Sequence, residues 1–175
     1  MPDAIPLGRL ASLELSARPS ALLSSLLLWT LLTVLGWFLF EELTAAILFG
    51  LLSTLLHWLS EFIHHLGHAR AAHRTGYPMT GVRAWFIFGQ SLFPPDEPPL
   101  PGRVHIRRAL GGPLASILLG AIAGASALLV SPTASFAWWI LVVIMLDNWL
   151  INGCGALLPL GFTDGSTLLA WWGKP

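Results

Sequence analysis

Long apolar stretches dominate the chain, and short polar or proline-rich segments separate them. Residues 21–40 contain no charged side chain and are followed by Glu41 and Glu42. An apolar run of ~20 residues is long enough to cross the hydrocarbon core of a bilayer. Similar runs over residues 43–68, 109–130 and 136–158 predict three more spans. The pattern therefore predicts an all-α polytopic membrane protein with about four transmembrane helices.

The segments between the spans contain strand and turn signals. Residues 1–20 predict a disordered tail or a short interfacial helix. Residues 82–88 are rich in strand formers and predict a short membrane-associated strand or β-hairpin between the second and third spans. Residues 94–101 contain several prolines and predict an extended loop. We also expect a tight turn at residues 131–133, a break at Pro159 and a final helix over residues 166–172.

Charge is scarce and lies on one side of this layout. Charged residues are 10% of the chain, against about 25% in soluble domains. The net charge of zero gives no basic field for nucleic acid. In a four-span layout all nine basic residues fall on the same side, which by the positive-inside rule is cytoplasmic. This distribution predicts a multi-pass protein with both termini in the cytoplasm.

The second span carries polar and ionisable residues on one face. At about 100° per residue, five side chains share an arc about 100° wide: His57, Glu61, His64, His65 and His68. Ionisable groups inside a membrane are costly and usually mark function. The alternative explanation is a structural role, in which these side chains only form hydrogen bonds to neighbouring helices. Because five polar groups share one face, this alternative is the weaker of the two.

A metal site is the chemistry that this face favours. His64 and His68 are one helical turn apart, a spacing that lets two imidazoles bind one tetrahedral ion. Asp164, in a loop after the fourth span, is the candidate third ligand, and its alternative role is an N-cap for the last helix. Two imidazoles and one carboxylate suggest one zinc ion, and His65 or Glu61 could supply a fourth ligand.

Four segments together resemble the site-2 protease family of intramembrane zinc metalloproteases. One of them, residues 77–93, resembles the family's membrane-associated strands. His64-His65-Leu66-Gly67-His68-Ala69 resembles that family's H-E-x-G-H-A element. Residues 112–116 resemble its G-P-x-x-N element, and residues 157–165 resemble N-L-L-P-x-x-x-x-D-G, whose aspartate is the third zinc ligand. The resemblance implies a core over residues 43–175, with residues 21–42 as an added transmembrane helix.

Three positions depart from the family pattern. His65 occupies the place of the glutamate that serves as general base, while Ser116 and Ala156 replace asparagines that resemble oxyanion or substrate donors. Glu61 could replace the base, although it projects from the preceding turn. His57, Asn148, Asn152, Ser116 and Asp147 remain candidates for supporting the metal ligands or for lining a substrate cleft; Asp147 could equally be a buried structural residue.

These departures leave several functions open. The pattern favours a catalytically impaired pseudoprotease that retains zinc and binds transmembrane helices of substrate or partner proteins. The alternative is an active intramembrane endopeptidase that cuts near the cytoplasmic face, with His65 or Glu61 as the base. A pigment- or haem-binding subunit is a third hypothesis, and the grouping of the histidines with Asp164 favours a bare ion over it.

Overall fold

Four helical segments of the computed structural model, which describes residues 4–130 and 135–174, are long and apolar enough to cross a membrane. They are Pro19–Phe40, Leu43–Arg74, Gly102–Ala127 and Phe136–Leu157. The predicted polytopic helical fold is therefore confirmed, and the chain is an integral multi-pass membrane protein. The tight turn predicted at residues 131–133 lies outside the described residues.

The first two helices, α1 (Pro19–Phe40) and α2 (Leu43–Arg74), form an antiparallel pair. Glu42 caps α2, because its carboxylate accepts hydrogen bonds from the N–H groups of Thr44 at 2.8 Å and Ala45 at 2.6 Å. These backbone hydrogen bonds lower the pKa of Glu42. Gly50 lies against the backbone of Thr33, so the two helices approach closely.

Helix α1 presents most of its surface outward. Its exposed apolar side chains include Leu22, Leu23, Leu26, Leu27 and Phe38. Large exposed apolar surfaces are rare on soluble monomers, and here the lipid bilayer is the medium that covers them. The inner face of α1 contacts α2. There the indole N–H of Trp58 in α2 donates a hydrogen bond to Ser25 Oγ in α1 at 2.9 Å.

A four-stranded sheet lies beside the helices in the order β1-β2-β3-β4. Its strands are β1 (Ile5–Leu10), β2 (Leu13–Ala17), β3 (Gly81–Trp85) and β4 (Phe88–Leu92). The predicted hairpin between the second and third spans is β3–β4. The prediction of a tail or helix over residues 1–20 was wrong, because β2 pairs in parallel with β3 and takes the N-terminal segment into the sheet.

The sheet packs against the C-terminal half of α2. Leu13, Ala72, Met79 and Val82 form a buried apolar cluster between them. Full burial of a Leu, Met or Val side chain contributes about 1.5–3 kcal/mol to stability. The cluster therefore holds the sheet against the same half of α2 that carries the histidines.

Helix α3 (Gly102–Ala127) begins before the predicted third span, which was placed at residues 109–130. Gly111, Gly112 and Pro113, near the start of the predicted span, lie inside the helix. Proline removes one helical N–H and clashes with the preceding turn, so a helix start was the simpler prediction. The helix continues because its first turns pack against α5 (Asp164–Trp171), where His105 stacks on Trp171 with ring centroids 4.1 Å apart.

The fourth span changes its helical winding near its middle. It begins as α4 (Phe136–Leu146), continues as a π-helix over Asp147–Cys154, and ends in a 3₁₀ turn over Gly155–Leu157. A short helix, α5 (Asp164–Trp171), follows the loop after Pro159. In a π-helix the bonded residues are five apart, which brings Asp147 and Asn152 onto one face.

Candidate metal centre

His64 and His68 of α2 direct their Nε2 atoms toward a common point. These two atoms are 2.9 Å apart, and both side chains are buried. The Nδ1–H of His68 donates to the carbonyl of Arg108 at 2.7 Å, which leaves the lone pair on Nε2. His64 Nδ1 lies 3.0 Å from Ser116 Oγ. Two imidazole nitrogens this close require a proton or a cation between them.

Asp164 approaches the same point from the first turn of α5. Its Oδ2 atom lies 3.4 Å from His64 Nε2 and 3.3 Å from His68 Nε2. Burial disfavours the charged carboxylate, but the two adjacent histidines outweigh burial and lower the pKa of Asp164 to about 2. The N-cap position of α5 belongs to Thr163, not to Asp164. Asp164 is therefore available as a charged ligand.

Helix α3 leaves a space in front of the two imidazoles at Gly112. A Cβ atom at Gly112 would collide with the Nε2 atoms of both His64 and His68. Gly67 and Gly111 permit the close crossing of α2 and α3 at this level, because a Cβ on either would strike the backbone of the other. The glycines thus bring α3 close to α2 without filling the centre.

The three ligand atoms fit a single tetrahedral ion. They are separated by 2.9, 3.3 and 3.4 Å, and ligand atoms at bonding distance from tetrahedral zinc are about 3.3 Å apart. Two imidazoles and one carboxylate suit zinc, and the space at Gly112 would admit the ion. Zinc held there would act as a Lewis acid toward a carbonyl and would acidify water.

His65 and Glu61 lie beside this centre and outside its ligand group. The Nδ1–H of His65 donates to the backbone carbonyl of Glu61 at 2.8 Å, and its ring packs against Gly89 of β4. The Glu61 carboxylate accepts the N–H of Gly89 at 2.7 Å. Its Oε2 atom is 3.8 Å from His65 Nδ1. Both side chains therefore hold the hairpin against α2.

A second buried polar group surrounds His57, two turns before His64. Its Nδ1 lies 2.9 Å from Asp147 Oδ1, and its Nε2 lies 2.8 Å from the carbonyl oxygen of Ile87 in the β3–β4 turn. Asp147 Oδ2 accepts a longer hydrogen bond of 3.3 Å from Asn152 Nδ2. This group joins α2, the π-helical segment and the hairpin.

Asn148 bonds to the bundle rather than to the metal ligands. Its Nδ2 donates to Ser60 Oγ at 2.8 Å and to the carbonyl of Ile144 at 2.9 Å. Its Oδ1 atom is buried and has no hydrogen-bond partner among the described residues. The structure thus separates Asn148 from Ser116, which contacts a candidate ligand directly.

Sequence reasoning missed the residues that act through their backbone. The sequence marks Arg108 only as a positive charge, yet its carbonyl orients His68. Its guanidinium is buried, pairs with Glu97 at 2.5 and 2.9 Å, and donates to the carbonyl of Tyr77 at 2.6 Å. A pattern of side chains cannot show which backbone carbonyl will accept a hydrogen bond. The Gly111-Gly112-Pro113 triplet, by contrast, is a sequence signal that another helix can approach closely at Gly112.

Comparison with known proteins agrees with this architecture. No family model matches the chain. "Putative zinc metalloprotease Rip3" from two strains of Mycobacterium tuberculosis is 32% identical over 186 aligned positions, which cover 97% of this chain. This chain spans 43% of the length of those relatives.

A solved structure has a similar fold. The site-2 protease from Methanocaldococcus jannaschii superposes with a TM-score of 0.65 over 95% of this chain and 69% of that chain, at 16% identity. The helices and the His–His–Asp group define a membrane protein built like a zinc metalloprotease. The chain is homologous to Rip3 and shares the fold of a site-2 protease, in agreement with the family resemblance in its sequence.

Proposed function

We propose that this chain is a pseudoprotease: a membrane protein that binds one zinc ion through His64, His68 and Asp164 but hydrolyses peptide bonds poorly or not at all. Its role would be to bind transmembrane helices of substrate or partner proteins, as an assembly or docking subunit. The observation that carries this proposal is the pose of His65, the residue in the general-base position of the metal motif.

The environment of His65 supports a structural role. Its Nδ1–H is committed to the Glu61 carbonyl at 2.8 Å, and the ring is pressed against Gly89. A general base must accept a proton from the attacking water and return it to the leaving amine. Glu61 is a poor substitute, because its carboxylate already accepts the N–H of Gly89 at 2.7 Å.

One observation favours the alternative, an active zinc endopeptidase. Because His65 Nδ1 donates to a carbonyl, its Nε2 carries the lone pair of the neutral ring. The tautomer required of a histidine base is therefore present.

A cleavage assay on a transmembrane-helix substrate separates the two functions. We expect the cleavage rate of the wild type to equal the background rate of His64→Ala. The rate of His65→Glu should exceed both. A rate for the wild type far above that of His64→Ala would overturn the pseudoprotease proposal. Zinc content measured in the same samples separates loss of the metal from loss of the base.

The orientation of the chain is part of the proposal. The N-terminal end of α1, the C-terminal end of α2 and the N-terminal end of α3 lie at one end of the bundle, since β3 contacts α1 and α5 packs on α3. All nine basic residues lie in these helix ends, in the strands beside them or just after α5, and Glu41 and Glu42 mark the opposite end. Protease protection of tags at both termini tests whether that end is cytoplasmic.

A further inference from the structure

A basic cavity lies between the C-terminal end of α2 and the N-terminal end of α3, away from the metal centre. Its volume is about 400 Å³. Three arginines contribute to its wall: Arg74, Arg103 and Arg107. Thr75 and Tyr77 complete the polar part of the wall. None of its lining residues belongs to the His64–His68–Asp164 group.

The three arginines have no carboxylate partner among residues 4–130 and 135–174. The neighbouring acidic residue, Glu97, is occupied by Arg108, which binds it through two hydrogen bonds at 2.5 and 2.9 Å. The first turn of α3 contains no acidic residue either. The cavity therefore concentrates positive charge without internal compensation.

Two features make this arrangement unfavourable unless an anion is present. Arg103 lies in the first turn of α3, where the helix dipole favours negative charge. Arg103 and Arg107 are four residues apart on the same helix, a spacing at which like charges repel. An anion in the cavity would relieve both interactions at once.

The position of the cavity identifies the chemistry of that anion. It lies at the ends of two helices that are long enough to cross a bilayer, so its arginines are within reach of lipid headgroups. Guanidinium groups bind phosphate oxygens with paired hydrogen bonds. We propose that Arg74, Arg103 and Arg107 bind the phosphate group of an anionic lipid headgroup, whose acyl chains lie along the exposed apolar surface of the bundle.

The test is lipid binding to the purified, folded chain, measured by native mass spectrometry in detergent. The probes are phosphatidylglycerol, phosphatidylcholine and inorganic phosphate. Each arginine near an anionic lipid surface is worth about fivefold in binding. The double variant Arg103→Gln/Arg107→Gln should therefore bind phosphatidylglycerol about 25-fold more weakly than the wild type.

The matched control is Arg9→Gln/Arg70→Gln, which removes two exposed basic charges that do not line the cavity. It should bind phosphatidylglycerol within about twofold of the wild type. Equal losses in the two double variants would overturn the proposal in favour of bulk surface charge. Equal binding of phosphatidylcholine, or binding of inorganic phosphate as tight as that of the anionic lipid, would also overturn it.

Discussion

His57 and Asp147 form a buried ion pair that joins the second and fourth spans. His57 Nδ1 is 2.9 Å from Asp147 Oδ1, and its Nε2 is 2.8 Å from the carbonyl oxygen of Ile87. Both partners are acceptors, so both hydrogen bonds form together only when the imidazole carries two protons. One charged side chain thus links α2, the π-helical segment and the β3–β4 turn.

Removing the carboxylate of this pair should destabilise the fold and spare the metal. We expect Asp147→Ala to lower the free energy of unfolding by about 3 kcal/mol, since it leaves His57 buried without its counter-charge. Zinc content should stay normal, because Asp147 contacts His57 and Asn152 rather than the three ligands. Denaturation in detergent and elemental analysis test both outcomes.

The control for that variant is Asp96→Ala, which removes an exposed carboxylate. It should change stability by less than about 0.5 kcal/mol. A loss of zinc in Asp147→Ala at full stability would instead make Asp147 a residue that supports the metal ligands.

Substitutions at the centre should remove zinc by two different routes. His64→Ala deletes a ligand, and Gly112→Ala places a methyl group against both Nε2 atoms. Zinc content should fall from about one per chain to near zero in either variant. His73→Ala, on the same helix but exposed, should retain zinc. Equal content in His64→Ala and wild type would exclude the ligand assignment.

Loss of the hydroxyl at Ser116 should weaken zinc binding without abolishing it. Ser116 Oγ is 3.0 Å from His64 Nδ1 and fixes the ring, and loss of such a partner costs about 10–100-fold in metal affinity. Competition with a chelator measures the difference between Ser116→Ala and the wild type. Ser126→Ala is the matched control, because the Ser126 hydroxyl donates to the carbonyl of Ile122 on the same helix. An unchanged zinc affinity in Ser116→Ala would exclude the role of Ser116 in fixing the His64 ring.

The Glu97–Arg108 pair should make the free energy of unfolding depend on pH in the acidic range. Hydrogen bonds from the Arg108 guanidinium lower the pKa of Glu97 below its ordinary value. The pair therefore contributes fully above the unfolded-state pKa, near 4.3, and its contribution is lost as the pH falls through the lower folded-state pKa. Glu97→Gln should cost about 2 kcal/mol at pH 7 and much less at pH 2–3.

Unfolding of wild type and Glu97→Gln at a series of pH values checks this sign. A gap between the two proteins that stays constant from pH 7 to pH 2 would show that the ionised pair is not the cause. Asp164 also has a low pKa, but both proteins retain it. The difference between the two proteins therefore reports Glu97 alone.

Local periodicity accounts for most of what could be predicted. The five polar residues of α2 are all buried, as their shared face required. Their division into two groups could not be predicted, because it depends on which neighbours approach each turn. Asp147 and the Ile87 carbonyl meet His57, whereas Asp164 meets His64 and His68.

The sequence by itself determined the spans, the one-sided charge and the replacement at His65, because hydropathy, charge and motif spacing are local properties of the chain. The tertiary structure decided the rest. Pairing of β2 with β3 drew the N-terminal segment into the sheet, since strand pairing depends on a distant partner. The π-helical winding brought Asp147 to Asn152, and α3 placed Ser116 and the Arg108 carbonyl on the histidines. Except for Asp147 and Asn152, those contacts join residues far apart in the chain, and only the packing of the helices and strands brings them together.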